Sequence, residues 1–227
     1  MPSSLAQQGT PGNPWFDLDY ARDNSDAILA ALREHVTLTL LTMLVGTLVA
    51  VPLTLAARRW HRLQTPVIAA TGALYTIPSL ALFAVLAPFT GVRQRTVVIG
   101  LVMYALLVLV RNFLVGLAGV PDDVREAARG MGYDGRRMLL RVELPVALPA
   151  VMTGIRIATV STVALVTVGV VVGHGGLGTL ILRGFNNNFY RAEIVTASLL
   201  CVLLALVLDG LLLLATRVLT PWARRGA

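Results

Sequence analysis

The sequence predicts an all-α protein that crosses a membrane five times, and three observations carry that expectation. Of its 227 residues 56% are apolar and 14% charged, with a mean hydropathy of +0.75, whereas about a quarter of a soluble domain is charged. Five apolar stretches, residues 36–57, 66–88, 96–118, 147–172 and 195–218, are each long enough to cross about 30 Å of hydrocarbon at about 1.5 Å per residue. Arginine flanks these stretches, and because lysine is absent all 19 basic positions are arginine. Set at the ends of apolar runs rather than among aromatics, they suit topology and not nucleic-acid binding.

Residues 1–34 are polar, contain Pro2, Pro11 and Pro14, and lean acidic through Asp17, Asp19, Asp23 and Asp26. They are expected to be disordered or to lie on the surface, with a short amphipathic helix over 27–32 leading into the first span. No basic start followed by a short apolar core and cleavage site occurs, so no cleaved signal peptide is expected. Residues 35–218 make the membrane domain. Its spans are helices because hydrocarbon offers no partner for backbone N–H and C=O groups. Pro52 and Pro78 predict kinks, and Gly46, Gly72, Gly100, Gly116 and Gly154 allow close helix approach.

Arginine placement orients the chain. One set of connections holds Arg58, Arg59 and Arg62, then Arg125, Arg129, Arg136, Arg137 and Arg141, then Arg217, Arg224 and Arg225. The other holds Arg22, Arg33, Arg93, Arg95, Arg183 and Arg191 beside the acidic tail. The richer side is expected to be cytoplasmic, which puts the N-terminus outside and the tail 219–227 inside.

The polar loop 119–146 lies on that side. Pro121-Asp122-Asp123 reads as a helix start, since proline suits the first turn and carboxylates complement the exposed N–H groups. Gly130 and Gly132 stop the helix. Asp134 caps a second short helix carrying Met138, Leu139 and Leu140, which Pro145 ends.

Glu126-Ala127-Ala128, three residues, Gly132, nine residues, Val142, one residue and Leu144-Pro145 resembles the EAA loop of ABC-importer permeases. Tyr75-Thr76-Ile77-Pro78-Ser79-Leu80-Ala81-Leu82, Arg111-Asn112, Thr153-Gly154-Ile155-Arg156 and Gly173-His174-Gly175-Gly176-Leu177-Gly178 resemble the permeases of osmoprotectant importers for glycine betaine, carnitine and choline. His174 departs from that pattern, where a small residue is usual. The resemblance spans residues 34–221 and implies a type I importer with the methionine-permease-like fold. It implies that Glu126, Ala127, Ala128, Gly132, Met138, Leu139, Leu144 and Pro145 contact a separate ATPase subunit. Partners implied are that ATPase, a second permease, identical or homologous, and an extracytoplasmic solute-binding protein, in a bacterial inner membrane. ATP and Mg²⁺ belong to the ATPase, so this chain is a non-catalytic subunit with no bound cofactor. A permease for methionine or another amino acid, and an ATP-independent secondary transporter, are the alternatives.

Ionisable residues inside the spans are the remaining candidates. Arg111 is placed to snorkel toward the interface. Arg156 and Asp209 each lie about 15 Å from the cytoplasmic ends of their spans, so an ion pair is expected to join the fourth and fifth helices, the alternative being that each faces a wet cavity. Aromatic faces hold quaternary ammonium groups, and the spans offer Tyr75, Phe83, Tyr104 and Phe113. Tyr75 and Tyr104, with Pro78 and Ser79, are candidates to line a pathway; helix packing is the competing role for the aromatics. The glycine-rich turn lacks the Gly-Lys-Ser/Thr ending of a phosphate loop. Cys201 stands alone, excluding an intrachain disulfide, and His35, His61 and His174 are too scattered to suggest a metal site.

Overall fold

The computed structural model describes residues 13–224; Pro2, Pro11 and Arg225 lie outside them. Ten α-helices follow in order among these residues: α1 (Leu18–Asp23), α2 (Ser25–Arg59), α3 (His61–Thr76), α4 (Ser79–Thr90), α5 (Gln94–Ala118), α6 (Asp122–Gly130), α7 (Gly135–Met138), α8 (Leu144–Val166), α9 (Leu177–Asn186) and α10 (Arg191–Leu219). A π-turn over Leu139–Glu143 joins α7 to α8, and a tight 3₁₀ turn, Thr167–Val172, extends α8. Four continuous helical stretches are long and apolar enough to cross a membrane, with α3 and α4 as a fifth, broken span.

Helix α5 is the axis of the bundle. Leu109, Val110 and Phe113 pack with Met43 and Ala50 of α2 and Ala158 of α8. Nearer its start, Val97 and Leu101 meet Leu38, Phe83 and Val166. Lipid is as apolar as leucine, so the helices associate through close contact rather than by escaping water. A Cβ at Gly154 would stand 2.5 Å from Asn112 Cβ, which lets α8 press on α5. Gly72 has open space beside it and does not serve the close approach expected of it.

Three expectations need correction. Residues 13–34 lie at the surface, all but Tyr20 and Ala31 at least partly exposed, but they are helical rather than disordered, because α1 runs through them and α2 begins at Ser25 and continues unbroken through Pro52. Asp17 caps α1, accepting from Asp19 N at 2.9 Å and Tyr20 N at 3.1 Å, while the buried Tyr20 ring meets Tyr190 edge-on at 5.3 Å. Burial raises the Tyr20 hydroxyl above its ordinary pKa, keeping it neutral. The second span is not a kinked helix: α3 and α4 meet at 96°, with Ile77 and Pro78 both extended between them. Pro145 ends nothing either. It occupies the first turn of α8, where its missing donor would be unpaired in any case.

The turn 173–176 uses left-handed backbone at Gly173 (φ 76°) and Gly176 (φ 54°), and next to it Gly178 lies against the backbone of Thr167. Gly178→Ala is expected to lower stability by about 1–3 kcal/mol, because the clash is with backbone. Gly210→Ala, with nothing near the new methyl, is expected to be neutral or stabilising by about 0.5–1 kcal/mol through helix propensity. Thermal unfolding in detergent checks both.

Candidate functional site

The loop 119–146 folds as an elbow. Helix α6 starts on Asp122 and Asp123 and ends at Gly130; Gly132 turns the chain with φ 77°. The Asp134 carboxylate caps α7 by accepting from Arg137 N at 2.8 Å. Glu126, Ala127 and Gly132 are exposed, whereas Ala128 and Met138 are buried and hold the elbow against itself and the bundle. Leu139, Leu140 and Leu144 line an apolar groove shared with Val51, Leu55 and Phe113, and Pro145 is half-buried. The residues named for an ATPase contact thus divide into an outward set and an inward set.

One residue that the sequence did not single out anchors this elbow. Glu143 is 1% exposed. Its Oε1 accepts from Arg125 Nε at 3.2 Å, and its Oε2 pairs with Arg58 at the end of α2. Arg125 also donates to Asp122 Oδ1 at 2.8 Å and to the Leu117 carbonyl at 2.8 Å. The spacing pattern leaves the residue before Leu-Pro unspecified, so only a carboxylate preceding an apolar helix could have hinted at it.

Within the bundle, Arg156 grips Asp209 with two parallel bonds, Nε to Oδ1 at 2.9 Å and Nη2 to Oδ2 at 2.8 Å, the fork geometry that suits arginine and carboxylate. The side chains are 28% and 35% exposed. The pair therefore ties α8 to α10 and also faces outward, in a groove with Thr153, Ile157, Val160 and Ser161. Arg111 is exposed.

The four pathway candidates cluster at the broken span. Tyr75 and Tyr104 meet edge-on at 5.9 Å, and the Tyr104 hydroxyl donates to the Ile77 carbonyl. Tyr75 and Pro78 are exposed, Tyr104 is buried, and Ser79 opens α4 half-buried. Phe83 and Phe113 belong to the core.

At the end of the bundle away from the elbow, His174 Nδ1 donates to Glu34 Oε1 at 2.8 Å, and Gly176 N donates to Glu34 Oε2 at 3.2 Å. Leu177 N donates to His35 Nδ1 at 3.3 Å, which leaves His35 Nε2 to donate to the Val163 carbonyl at 3.0 Å. The glycine turn is thus clasped to the first span.

Five membrane-crossing elements, with α2, the α3–α4 pair and α8 packed on α5 and with α10 packed on α8, and a two-helix elbow projecting from one end are the architecture of a multi-pass permease. Residues 67–225 match the family of binding-protein-dependent transport system inner membrane components, and the chain belongs to that family, as the permease subunit of an ABC importer. It is 37% identical over 209 residues to the osmoprotectant import permease protein OsmW of Salmonella typhimurium, covering 90% of this chain and 97% of that one. It is 33% identical to the choline transport system permease protein OpuBB of Bacillus subtilis, covering 90% and 94%. The fold matches the inward-facing methionine ABC transporter MetNI with a TM-score of 0.77 at 22% identity, over 85% of this chain and 96% of that one.

Removing one partner of the α8–α10 pair leaves a charge without its counterion at membrane depth. Arg156→Gln and Asp209→Asn are each expected to lower the melting temperature in lipid nanodiscs. The double variant should fall by less than the sum of the two, and simple additivity would show that the pair does not act as a unit.

Proposed function

We propose that this chain is the inner-membrane permease of an ATP-driven importer for small quaternary ammonium osmoprotectants such as glycine betaine, choline, carnitine and proline betaine. The observation that carries the mechanism is the projecting elbow with Glu126, Ala127 and Gly132 exposed at its tip. The solute class is supported by the relatives, which are named for osmoprotectant and choline transport.

In this proposal a separate ATPase subunit binds ATP and Mg²⁺ and holds the elbow in a surface groove, while the permease itself holds no cofactor. A second permease, identical or homologous, completes the pathway, and an extracytoplasmic binding protein delivers solute to the end bearing the glycine turn. The elbow faces the cytoplasm and the N-terminus the outside, in line with the arginine bias. When the ATPase pair closes, it drags the elbow, and the bundle exchanges inward and outward openings. Gly132 suits such a joint because its backbone conformation, φ 77°, is strained for any side chain.

Reconstitution in vesicles tests this. Uptake is expected only with ATPase, ATP and binding protein together, and uptake without the ATPase would overturn the proposal. Glu126→Lys and Gly132→Trp are expected to reduce solute uptake per ATP hydrolysed by about tenfold or more, within the usual range of coupling between linked sites. Preference for methionine over betaines would move the solute class while leaving the architecture intact.

A further inference from the structure

We propose that Glu143 is the positioning residue that makes movement of the elbow a movement of the membrane helices, an inference that rests on the elbow being the ATPase contact. Glu143 ends the π-turn Leu139–Glu143 and immediately precedes α8. A π-turn inserts one residue into the helical register, which rotates everything beyond it by about 100°. The turn therefore decides which side of the helix Glu143 occupies, and it places the carboxylate inside, 1% exposed.

There it meets charges from two other segments. Arg58 closes α2, and Arg125 lies in α6 of the elbow. Arg125 reaches onward to Asp122 on its own helix and to the Leu117 carbonyl in the last turn of α5. A single carboxylate thus links the elbow to α2 and α8 directly, and to α5 through Arg125. The charged groups of this cluster, Glu143 and Asp122 against Arg58 and Arg125, balance, so the buried Glu143 carboxylate has its countercharge at hand.

The surroundings separate a pivot from a plain structural staple. Beside Arg58 lie two clefts, one lined by Leu55, Arg59, Gly135 and Leu139, the other by His61, Gln64 and Ala118 among others. The carboxylate is enclosed while space remains on both sides of its arginine, which allows the segments to rotate about a fixed point. Without that point, a pull on α6 would be absorbed by bending at the π-turn and would not reach α2 and α5.

The test uses the complete importer in vesicles, with the exposed Met131 replaced by cysteine for cross-linking to the ATPase. Glu143→Gln keeps the shape and removes the charge. Its expected effect is that the cross-link persists while uptake per ATP hydrolysed falls by about tenfold. Glu143→Asp, which keeps the charge, should recover most of the ratio. Arg58→Gln should also lower it, and adding Arg58→Gln to Glu143→Gln should lower it little further, because the partners act together. If Glu143→Gln fails to assemble, Arg58→Gln and Arg125→Gln carry the same measurement. Normal uptake per ATP in assembled Glu143→Gln, or in both arginine variants, overturns the proposal while an intact cross-link leaves the elbow's role standing. Absence of the cross-link in the parent complex overturns both.

Discussion

Inside a bilayer no water completes the hydrogen bonds of the backbone, and at four breaks in this chain a side chain supplies the missing partner. Where α3 gives way to α4, the freed Ile77 carbonyl receives the Tyr104 hydroxyl. At the turn into α5, the Arg95 guanidinium donates to the Thr90 carbonyl at 2.8 Å. At the glycine turn, Glu34 and His35 accept the N–H groups of Gly176 and Leu177. At the start of the elbow, Arg125 takes the Leu117 carbonyl. Helix breaks in this fold are therefore matched by specific polar side chains, of which Tyr104 and Arg125 also belong to the candidate sites.

The same constraint explains what the sequence could and could not disclose. The Asp122 start, the glycine at the tip of the elbow and the Asp134 cap are local features, set by residues within one turn of each other, and all were legible, whereas the start of α2 at Ser25, well before the first apolar stretch, was not. The 96° break at Pro78 depends on Tyr104 and on the packing of Phe83 against α5, so proline chemistry alone suggested only a kink. Helix α8 runs through Pro145 because proline in a first turn gives up no bond, and a rule for helix interiors misplaces the boundary. His174 finds its partner in Glu34, 140 residues earlier. Pairings at that separation leave no periodicity to find.

Two carboxylate–arginine arrangements divide the membrane domain between them. Arg156 and Asp209 join α8 to α10 side by side, with side chains 28% and 35% exposed in a groove that is open on one side. Glu143 is enclosed and meets two guanidinium groups, so it cannot leave one without burying a charge against fewer partners. Reorganisation at the outward-facing groove is therefore the easier event, and the enclosed cluster is suited to staying whole while the helices around it turn.

The cluster also alters how the arginines should be counted. Arg58 and Arg125 entered the orientation argument as free charges, yet Glu143 and Asp122 compensate them. Subtracting both still leaves Arg59, Arg62, Arg129, Arg136, Arg137 and Arg141 exposed at the elbow end. At the other end Arg22 and Arg183 face Asp19 and Glu193, and Glu34 stands beside the turn. The difference in arginine content between the two ends thus survives removal of the paired charges, and it is carried by the exposed arginines of the elbow end. In the proposed importer, the positive charge that favours a cytoplasmic elbow and the surface offered to the ATPase are the same part of the molecule.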